Sequence, residues 1–162
     1  MNLEQQVVSL DLAKRLKELG VKQISLYHWF FYDTNPFTDD RWIITTVDED
    51  EQLVFDINTY IAAFTVAELG ELLPKAIQIK TEEEEKKIFS YFRFVTGRSL
   101  IFEEDKPYEV WSVNYICDTT NQFRNWLFDT LLTKAIYDKN EANCRAKMLI
   151  YLIEKELIKV NE

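Results

Sequence analysis

Apolar and polar positions change their period along the chain, and each change marks an expected element. Leu12, Leu16 and Leu19 recur at helical spacing behind Ser9, a good N-cap residue, with Lys14, Arg15 and Lys17 on the other side. Gly20 follows as the C′ residue that stops this helix. Ile24–Tyr32 is aromatic-rich and too short for a helix, so it predicts a strand. Arg41–Val47, with Trp42, Ile43 and Ile44, predicts another, joined to the first through Asp33–Asp40, where Asn35-Pro36 favours a turn. Asp48–Glu51 then reads as a solvated acidic loop.

Thr65-Val-Ala-Glu68 has the form of a capping box, and Pro74 limits the helix it starts to a short one. Ala76–Lys80 predicts a strand. Thr81-Glu-Glu-Glu84 offers a second capping box, with Glu82–Glu85 at a helix N-terminus, Ile88, Phe89, Phe92 and Val95 on one face, and Gly97 as the end. Phe92 and Phe94 also alternate, which keeps a strand over Phe89–Val95 as the competing assignment. Ser99–Phe102 and Glu109–Ile116 form an expected hairpin turning at Glu104-Asp-Lys-Pro107. Phe123, Trp126, Leu127, Thr130, Leu131 and Ala135 trace one helical face. Asp138-x-x-Glu141 offers a cap for the last helix, whose core face is Ala142, Ala146, Leu149, Leu152 and Ile153. The pattern defines an α+β protein: one domain over residues 1–162, with a mainly antiparallel sheet and helices packed on one face.

Composition narrows this picture. The chain has 162 residues, of which 47% are hydrophobic and 14% aromatic, enough to build a real core. Three glycines and three prolines are few for a sandwich or barrel with many tight turns. The N-terminus shows no basic stretch followed by an apolar one, and no apolar run approaches the roughly 20 residues that span a bilayer. A soluble protein of the cytoplasm is expected. Cys117 and Cys144 lack CxxC spacing and are expected to be ordinary semi-buried thiols.

Charge adds an asymmetry. The formal net charge is −9, yet residues 1–32 and 119–162 each sum to +1. Asp33–Asp118 therefore carries the excess, with nineteen acids against eight bases. Such a middle repels nucleic acid and attracts basic partners.

Candidate chemistry is sparse. His28 is the single histidine and is expected to be a hydrogen-bonded structural one, which removes Ser-His-Asp catalysis as a serious candidate, since no second histidine can take the base role, and excludes a His-rich metal site. Gly20, Gly70 and Gly97 are isolated, so no Gly-rich phosphate loop exists, and Gly70 is expected to permit close helix packing or to end a short helix. Asp48-Glu-Asp-Glu51 lacks the glycine and ligand spacing of an EF-hand loop. Thr65–Leu73 resembles in outline the first helix of a helix-turn-helix, but Pro74 and then four glutamates follow where a basic reader helix belongs. On a strand, Tyr27, Trp29 and Phe31 point one way while His28, Phe30 and Tyr32 point the other. That double apolar load requires either a central strand covered twice or an aromatic face used for contact.

Val8-Ser-Leu-Asp-Leu-Ala-Lys-Arg-Leu-Lys-Glu-Leu-Gly-Val-Lys-Gln23, Phe64-Thr-Val-Ala-Glu-Leu-Gly-Glu-Leu-Leu-Pro74 and Asn140-Glu-Ala-Asn-Cys-Arg-Ala-Lys-Met-Leu-Ile-Tyr-Leu-Ile-Glu154 resemble, in order, a family of small proteins encoded by bacteriophages and prophages of gut bacteria. The resemblance implies a phage setting inside a bacterial host cell; the family supplies no activity and no catalytic residue. Asn143 and Cys144 stand where that family more often has Asp and Ala, and an insertion around Phe123–Tyr137 lengthens the stretch from Thr81.

The expected function is a non-enzymatic protein-binding module with an acidic surface. Its contact residues are expected to be Tyr27, Trp29 and Phe31, Asp48, Glu49, Asp50 and Glu51, and Glu103, Glu104 and Asp105. The expected partner is a host or phage protein of basic character. Direct nucleic-acid binding, a membrane, a cofactor and a metal are not expected, and no catalytic residue is assigned. Two alternatives stand beside it: a small carboxylate-dependent hydrolase or transferase using Tyr or Lys, and a self-associating protein that buries the Tyr27–Tyr32 strand in a homo-oligomer.

Overall fold

Leucines spaced by helical turns build the first helix, α1 (Leu10–Glu18), which follows a short 3-10 turn at Leu3–Gln5. The structure, a computed structural model, describes residues 3–32, 41–46, 60–83, 86–103, 106–117 and 135–160. Ala13 and Leu16 of α1 are buried, and Leu10, Leu12 and Leu19 pack against the same core. Ser9 is the N-cap as expected, but its side chain makes no cap bond. Its backbone N–H instead donates to Asn143 Oδ1 at 2.7 Å, tying the start of α1 to the last helix. Gly20 ends the helix at φ +82°, a conformation that favours a residue without Cβ.

Strands β1 (Tyr27–Tyr32), β2 (Arg41–Thr46) and β3 (Tyr60–Ala62) form one antiparallel sheet in the order β2-β1-β3. The aromatic strand is thus the central one. Register places Trp29 between Ile44 and Ile61 on one face, and Trp29, Trp42 and Ile61 pack on the core. The expected links at Asp33–Asp40 and Asp48–Glu51 lie outside the described residues.

Helix α2 (Val66–Leu72) starts on the capping box read from the sequence. Thr65 Oγ1 accepts from the Glu68 N–H at 3.3 Å, and Glu68 Oε2 accepts from the Thr65 N–H at 2.7 Å. Glu68 reaches further: Oε2 accepts from the Ser25 hydroxyl at 3.0 Å and Oε1 from the Leu26 N–H at 2.9 Å. Burial pushes this carboxyl up, but the hydrogen bonds from Thr65, Leu26 and Ser25 outweigh it and hold it below its usual value of 4.5. The carboxylate therefore contributes stability that is complete above pH 4.5 and lost as pH falls through the lowered folded value. Glu68→Gln is expected to cost about 1–2 kcal/mol at pH 7 and less at pH 3, as checked by urea melts at both values.

Of the two assignments for the stretch from Thr81, the strand over Phe89–Val95 is the one present, and the helix is not. Strand β4 (Ala76–Glu83) pairs with β5 (Lys86–Glu103), and β5 pairs with β6 (Lys106–Cys117). Thr81 and Glu82 lie within β4, and Gly97 lies within β5 and ends nothing. The register explains the outcome. Glu82 falls opposite Lys87 and Glu83 opposite Lys86, and β6 pairs with β5 on its other side from Phe92 to Glu103, so β5 is held between two strands. The expected second hairpin is present with longer arms, and Lys106 and Pro107 belong to β6.

Strand β7 (Ile136–Asp138) completes a four-stranded antiparallel sheet, β4-β5-β6-β7, and α3 (Glu141–Glu154) packs on β6 and β7. Most of the helical face expected over Phe123–Ala135 lies outside the described residues; its last residue, Ala135, is not helical and leads directly into β7, which takes Ile136 and Tyr137 as strand. The core face of α3 buries Ala142, Cys144, Ala146, Met148, Leu149, Ile150 and Leu152 against Val113 and Tyr115 of β6 and Leu16 of α1. Tyr115 donates its hydroxyl to the Pro74 carbonyl at 2.7 Å. The protein is α+β, with antiparallel sheets and helices sharing one core.

Candidate binding cleft

The last helix begins on Asn140 rather than on the expected Asp138. Asn140 Oδ1 accepts from the Ala142 N–H at 2.8 Å and the Asn143 N–H at 3.4 Å, closing two helix donors. Asp138 is committed elsewhere: Oδ1 accepts from the Asn140 N–H at 2.8 Å and Oδ2 pairs with Lys147 at 2.6 Å. The other end of the Asn140 amide reaches the N-terminal turn, where Nδ2 donates to the Val7 carbonyl at 3.0 Å and the Glu4 carbonyl at 3.3 Å. One side chain thus caps α3 and holds residues 4–7 against it.

That junction is one end of an open cleft of about 790 Å³. The N-terminal turn supplies Leu3, Gln5 and Gln6, and the first residues of α2 supply Thr65, Val66 and Ala67. Arg98, Trp111 and Asp138 stand in register across β5, β6 and β7 and form the sheet side.

The charges of the cleft are not equivalent. Asp138 is held by Lys147, and Glu141 by Arg145 at 2.6 Å, with both members of the second pair mostly buried. The Lys139 amino group lies 5.7 Å from the Tyr108 ring centre, and Tyr108 is three residues before Trp111, on the opposite face of β6. Arg98 stacks over the Trp111 ring at 5.2 Å and pairs with Glu109 at 3.0 Å, with both side chains 65% exposed. Gln5 and Gln6 are exposed, and their side-chain amides make no hydrogen bond among the described residues. The cleft combines restrained carboxylates with an accessible guanidinium and open amides.

Gly70 of α2 borders the Arg145–Glu141 pair, and its role is the close helix packing expected from sequence. A Cβ added there would meet Arg145 Nη1 at 2.6 Å, and that guanidinium is also placed over the Phe94 ring at 5.8 Å. Gly70→Ala is expected to lie within about 1 kcal/mol of native, because the atom it meets is the far end of a flexible side chain and the shift of Arg145 offsets the gain in helix propensity of about 0.8–1 kcal/mol. In an Arg145→Ala background nothing offsets that gain and the substitution is expected to stabilise, which a double-mutant cycle in urea measures.

Of the contact residues expected from sequence, the structure brings Tyr27 into this cleft. Trp29 is half-buried on the core, with its indole N–H donating to the Val8 carbonyl at 3.0 Å, and Phe31 lies against Trp42 with ring centres 5.2 Å apart. Glu103 ends β5, opposite Lys106. Asp48, Glu49, Asp50, Glu51, Glu104 and Asp105 lie outside the described residues. Arg98, Trp111, Gln5 and Gln6 were not among the expected residues; the polar Asn140-Glu-Ala-Asn143 start of the last helix was the available signal for the junction they share.

Two groups with chemical potential lie elsewhere. His28 is 2% exposed on β1, with no partner for Nδ1 among the described residues. Cys144 is fully buried, Sγ donating to the Ile136 carbonyl at 2.9 Å, and burial pushes its thiol up to about 11, away from the reactive thiolate. Among the described residues, no helix is long and apolar enough to cross a membrane. No protein-family model, curated protein or solved structure matches the chain.

Proposed function

We propose that this protein is a non-enzymatic protein-binding module, acting in a phage or prophage setting on a host or phage protein. The observation that carries the reading is the state of the cleft. Both lining carboxylates are tied to cations of the fold, Thr65 is engaged in its capping box, and the groups left accessible are donors and acceptors for hydrogen bonds. Such a lining suits holding a ligand better than moving its protons. The exposed Ile24 and Leu26 add support: Leu26 joins α2 through Glu68, and the exposed Leu72 follows Glu68 by about one helical turn.

The acidic middle of the chain is the proposed second contact, its acids at Asp48–Glu51 and Glu103–Asp105 matching a basic partner in charge. Capture from host lysate at low and high salt tests the reading. The expected result is a partner retained by the native chain at low salt and lost with D48N/E49Q/D50N/E51Q. Equal capture of the same partner by both chains at both salt concentrations would remove the acidic contact from the proposal.

A further inference from the structure

We infer that the ligand of the cleft is an extended peptide carrying a carboxylate, and that Arg98 receives that carboxylate; the inference rests on reading the cleft as a binding surface. Lys147 and Arg145 already balance the two lining acids. Arg98 has only the exposed partner Glu109 among the described residues. A pair so open to water is worth about 0–1 kcal/mol, so an incoming carboxylate displaces Glu109 at little cost. The Trp111 ring lies against the guanidinium, with its centre 5.2 Å from Cζ, and the planar fork of an arginine suits bidentate contact with a carboxylate.

The remaining wall fits a peptide main chain. Gln5 and Gln6 each offer a carbonyl and an NH₂ group, the complements of a peptide N–H and C=O, while Leu3 and Val66 supply apolar contact. The start of α3 adds a favourable field for negative charge beside them. A net charge of −9 opposes an acidic ligand over distance, but charges beyond about 8 Å are largely screened at physiological salt. Within the cleft the local pairing decides.

Selection of a random heptapeptide display library on the full chain tests this. The expected outcome is enrichment of sequences holding Asp or Glu. A synthetic copy of the leading peptide should bind at least about tenfold more weakly to Arg98→Ala, and its Gln-substituted form should bind the native chain as weakly, equivalent to about 1.4 kcal/mol. Arg98→Lys should recover only part of the loss, because an ammonium lacks the planar fork. Circular dichroism melts of each variant separate lost binding from lost folding. Enrichment of neutral or basic peptides, or acidic peptides indifferent to Arg98, overturns the carboxylate assignment while leaving the cleft a peptide site. Failure to enrich any peptide overturns both.

Discussion

Asn140→Ala is expected to lower stability by about 2–3 kcal/mol, because one truncation removes two separate functions. The first is the cap of α3: Oδ1 serves the Ala142 and Asn143 amides, and losing an N-cap costs about 1 kcal/mol. The second is the clamp on the N-terminal turn through the Val7 and Glu4 carbonyls, of which Val7 is fully buried. Leaving such carbonyls without a donor costs about 1–3 kcal/mol, reduced to whatever extent water replaces the amide. For a chain of this size the sum corresponds to a fall in Tm of roughly 4–12 °C. Asn140→Asp separates the parts, since a carboxylate keeps the cap oxygen but has no N–H to donate. It should recover the cap and still lose the clamp, giving a cost between those of native and alanine. Equal Tm values for the two variants would show that the clamp carries the whole effect. Because Leu3, Gln5 and Gln6 line the cleft, both variants should also weaken peptide binding.

The features legible in the sequence are those whose causes are local. Thr65 and Glu68 satisfy one another within a single turn, so the start of α2 could be read from four residues. Gly20 ends α1 for an equally local reason, a left-handed backbone conformation. The stretch from Thr81 to Val95 was not decided locally. Its glutamates suit a helix N-terminus as well as a hairpin arm, and the choice was made by β4 on one side and β6 on the other. The cap of α3 falls on Asn140 because Asp138 ends β7 and its carboxylate is taken by the Asn140 N–H and Lys147, while Asn140 offers an acceptor to the helix and donors to the N-terminal turn.

The cleft was harder still to foresee. Arg98 and Trp111 are joined by the expected hairpin, but Gln5 and Asn140 lie far from them and from each other in sequence, and no spacing rule links these to the hairpin before the topology is known. The aromatic run shows the converse. Its density was obvious, but its role depended on neighbours: Trp29 became a core residue hydrogen-bonded to the chain ahead of α1, while Tyr27 reached the cleft.

Acidification is expected to unfold this protein earlier than carboxylate protonation alone would do, through His28. The ring is almost wholly buried on the central strand, between Thr45 and Ala62 in register, with Tyr60 edge-on at 6.2 Å. Burial lowers its pKa below the ordinary 6.5; a hydrogen bond with the Gln23 backbone and the charge of Glu68 oppose that shift without cancelling it. The unfolded chain therefore takes up the proton first. Stability from neutral His28 is complete above pH 6.5 and declines as pH falls from there through the lowered folded value. Of these two groups, Glu68 begins to contribute its own loss only below pH 4.5, so between pH 6.5 and 4.5 the loss belongs to His28. His28→Leu should remove the first window and keep the second. At pH 7 it should be within about 1 kcal/mol of native, because deleting the partnerless Nδ1 offsets the lost Gln23 bond. Urea midpoints at intervals from pH 7.5 to 4 measure the difference. Parallel curves for native and His28→Leu between pH 6.5 and 5 would exclude His28 as the origin of the acid sensitivity.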